Sequence, residues 1–360
     1  MVLIFSLLLI FGIVSGQIFD LSAMRELVTF VTSLCLAYIM IEVGLEFSIG
    51  KRKLSSYGWD TIVSASAAII PALLWFVYFF VFVKSSWQSA LLAGLSSAPT
   101  SAGVLFSMMM AAGLSATWVF KKARVLAVLD DLVTILLLTP LQVILHGFEW
   151  ESMVVLIFIG FFLFAAFRWQ NSIPWPVGKF WLLLYAVGLA SVISLVKKTT
   201  HIHLEVLIPA FMFGCLLNSP THETPPQHPA ASSLDTFIKG AFMFLVGLSL
   251  PKIALGSMAL STIVGQVFIL TILANIGKMF PAFCYRKEAT LRERLALGVA
   301  MFPRGEVGAG VLLIGLSYGL NGYENTLAVL SLALNLVLTG LFIEIVMQLL
   351  KRAENVYGKQ

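Results

Sequence analysis

The stretch "RVLAVLDDLVTILLLTPL" (124–141) sets two aspartates, Asp130 and Asp131, side by side in an otherwise almost wholly apolar run. An ionisable group at the centre of a bilayer costs roughly 2.5–3.5 kcal/mol on insertion scales, so carboxylates held there are functional candidates by default. The pair lies six and seven residues past Arg124, about 9–10 Å along a helix at 1.5 Å per residue. Neighbouring helical residues point about 100° apart, so both cannot face one small site squarely. One can line a cavity while the other turns to a neighbouring helix. Two close carboxylates also resist ionising together. Such a pair needs a proton, a cation or a fixed positive partner.

The surrounding chain is a membrane setting. It has 360 residues, 59% hydrophobic and 11% charged, against about 25% charged in soluble domains. The fold class expected is an all-α polytopic membrane protein of about twelve transmembrane helices. The hydrophobic segments fall at about 2–15, 24–48, 58–83, 88–112, 119–145, 153–168, 179–196, 203–218, 234–250, 256–284, 292–319 and 325–350. The first segment reads as a retained short helix rather than a cleaved signal peptide, because it lacks a basic leading region.

Orientation follows from lysine and arginine. With a cytoplasmic N-terminus, alternation puts fifteen of the 23 basic residues inside and five outside; Lys239, Lys278 and Arg304 remain, at a helix end or within segments. Both termini are therefore expected in the cytoplasm, with 351–360 as a short cytoplasmic tail. The three cysteines, Cys35, Cys215 and Cys284, lie in apolar runs without paired spacing. They suggest no disulfide framework and no zinc site. "HIH" (201–203) reads as interfacial polar residues rather than a metal site. No cofactor is expected, and no basic run of nucleic-acid type is present.

Four further features bear on the aspartates. Lys278, in "ILANIGKMFPAF" (269–280), lies eight residues before Arg286 on a segment running opposite to that of the aspartates. It reaches a similar depth, about 12 Å from the cytoplasmic edge, and is expected to pair with Asp130. Segment four contains "SSAPTSAGV" (96–104) and segment eleven "MFPRGEVGAG" (301–310). Pro99 and Pro303 each remove a backbone donor and disrupt a helical turn. Broken backbone at membrane depth is tolerated only where it is buried in protein or lines a cavity. Two interrupted helices in corresponding positions point to a transporter's binding site. Here each is the middle helix of a trio, three–four–five and ten–eleven–twelve. Arg304 and Glu306, in the second break, read as structural ion-pairing groups or as gating and pH-response groups. Glu42 and Glu46, beside Lys51–Lys53, read as interfacial structural residues, as do Glu205 and Glu344.

Taken in order, these motifs have a family likeness. "VLAVLDDLVTILLL" resembles the aspartate-pair helix of bacterial sodium/proton antiporters of the monovalent cation:proton antiporter superfamily. "SSAPTSAGVLF" resembles the unwound fourth helix of that fold, and "ANIGKMFPAF" its lysine helix. "LGVAMFPRGEVGAGVLL" is similar to its Pro-Arg-Gly-Glu signature and "IEVGLEFSI" to its early Gly-Leu-Glu segment. The agreement runs from about residue 30 to 350. The resemblance implies inverted repeats with two broken crossing helices. It divides the chain into N-terminal helices 1–57 (scaffold and dimer domain), transport repeat one 58–146, linking scaffold helices 147–255 and transport repeat two 256–350. It implies a homodimer in a membrane, exchanging H+ for Na+, with Li+ and K+ as alternatives, by an elevator-like movement.

By the same resemblance Asp131 takes the place of the ion-binding carboxylate. Asp130 takes that of the aspartate paired with lysine in electrogenic members, and Lys278 that of the lysine. Thr100 matches the polar residue of the first unwound stretch and joins Asp131 in holding the transient cation. Ser101 departs from members with an aspartate there, which leaves the cation preference open. Two protons per cation are implied by the resemblance alone. The membrane expected is a bacterial inner membrane. A sodium-coupled organic solute symporter on a similar ten-helix architecture is the main alternative. An intramembrane aspartyl protease needs facing carboxylates from two helices, and a prenyltransferase two Asp-rich motifs. Neither pattern is present, so a transporter and not an enzyme is expected.

Overall fold

The computed structural model describes residues 2–19, 24–46, 58–146, 176–200, 206–217, 233–249, 260–317 and 323–357. Segment six, His201, His203, Glu205 and Lys51–Lys53 lie outside the described residues. Every regular element among the described residues is helical. In chain order they are α1 (Val2–Ile18), α2 (Arg25–Glu46), α3 (Gly58–Val77, continued by a π-helical turn Tyr78–Val83), α4 (Trp87–Ser96), α5 (Ala102–Ala111) and α6 (Trp118–His146). Then follow α7 (Lys179–Thr200), α8 (Leu207–Leu217), α9 (Ser233–Leu248), α10 (Leu260–Lys278), α11 (Pro281–Cys284), α12 (Leu291–Ala300), α13 (Glu306–Ser317) and α14 (Tyr323–Tyr357). Among the described residues, four stretches are long and apolar enough to cross a membrane: Gly58–Val83, Lys179–Val196, Leu260–Cys284 and Tyr323–Lys351.

Local chemistry sets several boundaries. Ser86 caps α4, its hydroxyl accepting from the amide of Ser89. Thr290 and Glu293 form a reciprocal capping box at the start of α12, satisfying two amides that the first turn leaves without partners. Segments four and eleven, each one apolar run in sequence, are each two helices. Pro99 and Pro303 stand in the gaps, at 97–101 and 301–305, where a continuous helix would lose a hydrogen bond and clash with the ring.

The chain divides into two compact units. The first comprises Met1–Ile10, Ser56–Thr134 and Leu250–Gln360. In it α3 packs on α4 and α10, α4 on α13, and α14 on α10 and α12. Trp75, fully buried, donates from its indole to the carbonyl of Leu270 at 2.7 Å, tying α3 to α10. Two glycines permit the closest approaches. A Cβ at Gly277 would lie 2.7 Å from the nitrogen of Pro71, and one at Gly308 only 2.5 Å from the carbonyl oxygen of Ser96. The first draws α10 onto α3 beside Lys278. The second sets α13 against the broken end of α4.

The second unit comprises Phe11–Ser55 and Ile135–Ser249. Its centre is α2, packed by α7, α8 and α9. Lys179 pairs with Glu42 at 3.0 Å and Asp235 at 2.6 Å, and Lys239 with Glu42 at 2.8 Å. Tyr38 donates its hydroxyl to Asp235. This network joins α2, α7 and α9 at their polar ends.

Candidate functional site

The first unit gathers the polar groups that the sequence singles out. Asp130 and Asp131 lie in mid-α6 and are fully buried. Lys278, the last residue of α10, is fully buried too and forms an ion pair with Oδ2 of Asp130. Its place at the C-terminal end of the helix suits a cation, because that end carries partial negative charge. Thr100 donates from its hydroxyl to the same Oδ2 at 2.7 Å, and Oγ1 also lies 3.3 Å from the carbonyl of Met301. Oδ2 of Asp130 thus accepts from two donors, one of them charged. Thr134, one turn along α6, donates to the backbone carbonyl of Asp130 at 2.9 Å. Asp131 lies within electrostatic reach of Lys278.

The two broken stretches bond to one another. The amide of Ser101 donates to the carbonyl of Pro303 at 2.8 Å, and Nε of Arg304 donates to the carbonyl of Ser97 at 2.9 Å. Each interruption therefore supplies partners for backbone groups that the other leaves over, as buried backbone requires. Ser96, Ser97, Thr100 and Ser101 are all buried. The hydroxyls of Ser96 and Ser97 close the end of α4 by bonding back to Ala93 and Gly94, each at 2.7 Å.

Arg304 is fully buried. Beyond Ser97, its guanidinium donates to Oδ1 of Asn275 at 2.8 Å, Oδ1 of Asn335 at 3.4 Å, and the carbonyls of Ala274 at 2.7 Å and Phe302 at 3.2 Å. The arrangement as a whole is a protein-lined set of carboxylates, hydroxyls and freed carbonyls around two helix breaks. These are the oxygen ligands hard monovalent cations take, and the carboxylates can also take protons.

A family model described as "Sodium/hydrogen exchanger, transmembrane" matches residues 3–349, nearly the whole chain. The chain belongs to the sodium/hydrogen exchanger family. Among curated relatives of that family, the high-affinity Na+/H+ antiporter NhaS3 of Synechocystis sp. is 22% identical over 311 residues, 83% of this chain. The match spans 66% of that relative's own length. Among solved structures, the sodium proton antiporter MjNhaP1 from Methanocaldococcus jannaschii at pH 8 matches with a TM-score of 0.63 at 15% identity. That match covers 93% of this chain and 92% of MjNhaP1, and it shows that the two share the sodium/hydrogen exchanger fold.

Within this family member, the described surroundings of several residues add to those read from sequence. Thr100, read as joining Asp131 around a transient cation, donates a hydrogen bond to Asp130. Arg304, read as a structural ion-pairing group or a gating and pH-response group, donates to three carbonyls and two asparagines among the described residues. The reason is position: the breaks expose carbonyl oxygens, and a guanidinium with five donors suits several of them at once. Glu306 begins α13, and its side chain lies outside those described, as does that of Glu46. Glu42 meets Lys179 and Lys239. Glu344 is exposed and accepts from Gln348 at 3.2 Å.

Sequence reasoning missed two sets of residues. Asn275 and Asn335 hold the arginine, and their signal was faint. Asn335 stands in a polar row, Ser331, Asn335 and Thr339, spaced four apart and fully buried on α14. A cluster at the other end of α6 joins Lys122 to Asp60 and Glu288, each at 3.1 Å. There Tyr285 donates to Asp60 at 2.7 Å, and Lys122 sits 4.5 Å over its ring. Burial, and then the bond to Asp60, push the Tyr285 hydroxyl well above the usual tyrosine range.

Proposed function

We propose that this chain is a monovalent cation/proton antiporter, exchanging Na+ (Li+ and K+ being the alternatives) for H+ across a membrane. The observation that carries this reading is the inequality of the two aspartates. Oδ2 of Asp130 is engaged by Lys278 and Thr100. Asp131, the next residue of the same helix, points about 100° away and is taken as the exchanging carboxylate. Family membership and the name of the NhaS3 relative support the same class of transport.

The mechanism follows from solvation. A bare carboxylate in a low-dielectric interior is expensive, and either a proton or a cation relieves that expense. If only a neutralised site crosses the membrane, H+ and Na+ must alternate on Asp131. Asp131 supplies charge, and freed carbonyls of the breaks with water complete an oxygen shell. Asp130 holds Lys278 and can take its proton, which makes a second proton per cycle available. Alternating access by movement of the unit that carries the site, and assembly as a homodimer, complete the proposal. So do a bacterial inner membrane and cytoplasmic termini.

The test is a pH-gradient assay in proteoliposomes, with Na+, Li+ and K+ added in turn. Cation-induced collapse of the gradient supports antiport. Uptake of a labelled organic anion without it would transfer the assignment to a solute symporter.

A further inference from the structure

Arg304 is a fixed charge whose hydrogen bonds all go to neutral groups among the described residues. It meets carbonyls from α4, α10 and its own stretch, and asparagines from α10 and α14. Among the described residues, the charged groups within electrostatic reach of it are Asp130 on α6 and Lys278 on α10, with Asp131 in reach of Lys278. An arginine normally remains protonated in proteins. None of these hydrogen-bond partners cancels the charge, so its field acts on the aspartates through space, in an interior where screening is weak.

The charges can be counted. Asp130 and Asp131 ionised contribute two negative charges. Lys278 and Arg304 protonated contribute two positive ones. These four groups thus carry no net charge when Asp131 has released its ion. Remove Arg304 and the same state carries one excess negative charge, which holds a proton or a cation more tightly.

We propose that Arg304 is a positioning and affinity-setting residue of the exchange site: it joins the two helix breaks and, by its positive charge, lowers the hold of Asp131 on both ions so that each can leave. This rests on the proposed role of Asp131. A residue serving only as a hydrogen-bonded brace would not show the second effect. Asn275 and Asn335 belong to the same device, because their neutrality leaves the charge intact. An aspartate at either position would supply the same acceptor oxygen and cancel the field.

The experiment compares wild type, Arg304→Gln, Arg304→Lys and Asn335→Asp in proteoliposomes, reading rate and the KM for Na+ against pH, with Asp131→Asn beside them. Arg304→Gln and Asn335→Asp should both move the pH of half-maximal rate upward, on the order of one unit, and lower the KM for Na+ several-fold at alkaline pH. Arg304→Lys should keep the wild-type midpoint at a reduced rate. A loss of rate in Arg304→Gln with midpoint and KM unchanged would overturn the proposal, as would an unshifted Asn335→Asp. If size-exclusion profiles show Arg304→Gln to be misfolded, Asn335→Asp, which alters one atom group, decides alone. Full exchange by Asp131→Asn would instead remove the reading on which the proposal stands.

Discussion

Lys278 ends α10 with its ammonium against Oδ2 of Asp130, and both groups are fully buried. A buried pair of this kind is sensitive to loss of one partner. Breaking one costs about 3–5 kcal/mol if the remaining charge persists. Asp130 would avoid much of that by taking a proton. Lys278→Ala should therefore shift the pH dependence of exchange upward, measured as rate against pH in proteoliposomes. An unchanged profile would count against the pairing as a functional element.

Thr100 donates to the same oxygen at 2.7 Å. A hydrogen bond to a charged group is worth about 1.5–3 kcal/mol. Thr100→Val keeps the shape and removes the donor. It should lower thermal stability in detergent by a few degrees and slow exchange, whereas Thr100→Ser should retain both. Equal behaviour of the valine and serine variants would contradict the assignment of the hydroxyl.

The contact of α13 with the end of α4 depends on the lack of a side chain at Gly308, where a Cβ would lie 2.5 Å from the Ser96 carbonyl oxygen. Gly308→Ala should destabilise by about 1–3 kcal/mol, the range for overpacked cores, and reduce exchange by displacing the crossing. Gly340, on α14, has nothing within 4 Å of a built Cβ, so Gly340→Ala is the control and should leave melting temperature and rate within error. A tolerated Gly308→Ala would show that the crossing can relax without loss.

Much of this was legible in sequence because a bilayer narrows the choices. Apolar runs of membrane length can only be helices, and Pro99 and Pro303 inside two of them mark the breaks. The matching depths of Asp130 and Lys278 follow from counting residues to Arg124 and Arg286. Which donor meets which acceptor did not follow. The Arg304 partners come from α4, α10 and α14, and no local pattern ties Asn275 or Asn335 to position 304. The same holds for Lys179, whose acidic partners Glu42 and Asp235 lie on α2 and α9. Both required knowing which helices adjoin, and that is decided by side-chain packing across long sequence separations.

Tyr285 supplies a prediction about pH. Burial and the bond to Asp60 raise its folded-state value above the ordinary figure of about 10. Below that ordinary value the hydroxyl is protonated in both folded and unfolded chains. Its contribution is then fully present, and it declines only as pH rises through the folded-state value. Tyr285→Phe should therefore lower stability by about 1 kcal/mol, by the same amount from pH 6 to pH 9, measured by thermal melting. A difference that vanishes within that range would show that another group controls the cluster.

In the proposed exchange, Asp131 carries the ions while Asp130 serves Lys278. The most direct measurement is Na+-induced collapse of a pH gradient in proteoliposomes containing wild type, Asp131→Asn or Asp130→Asn, at matched protein density and with folding checked by size exclusion. Wild type should exchange robustly, Asp131→Asn not above empty liposomes at any pH, and Asp130→Asn residually with an altered pH profile. Exchange by Asp131→Asn at the wild-type rate would contradict this assignment.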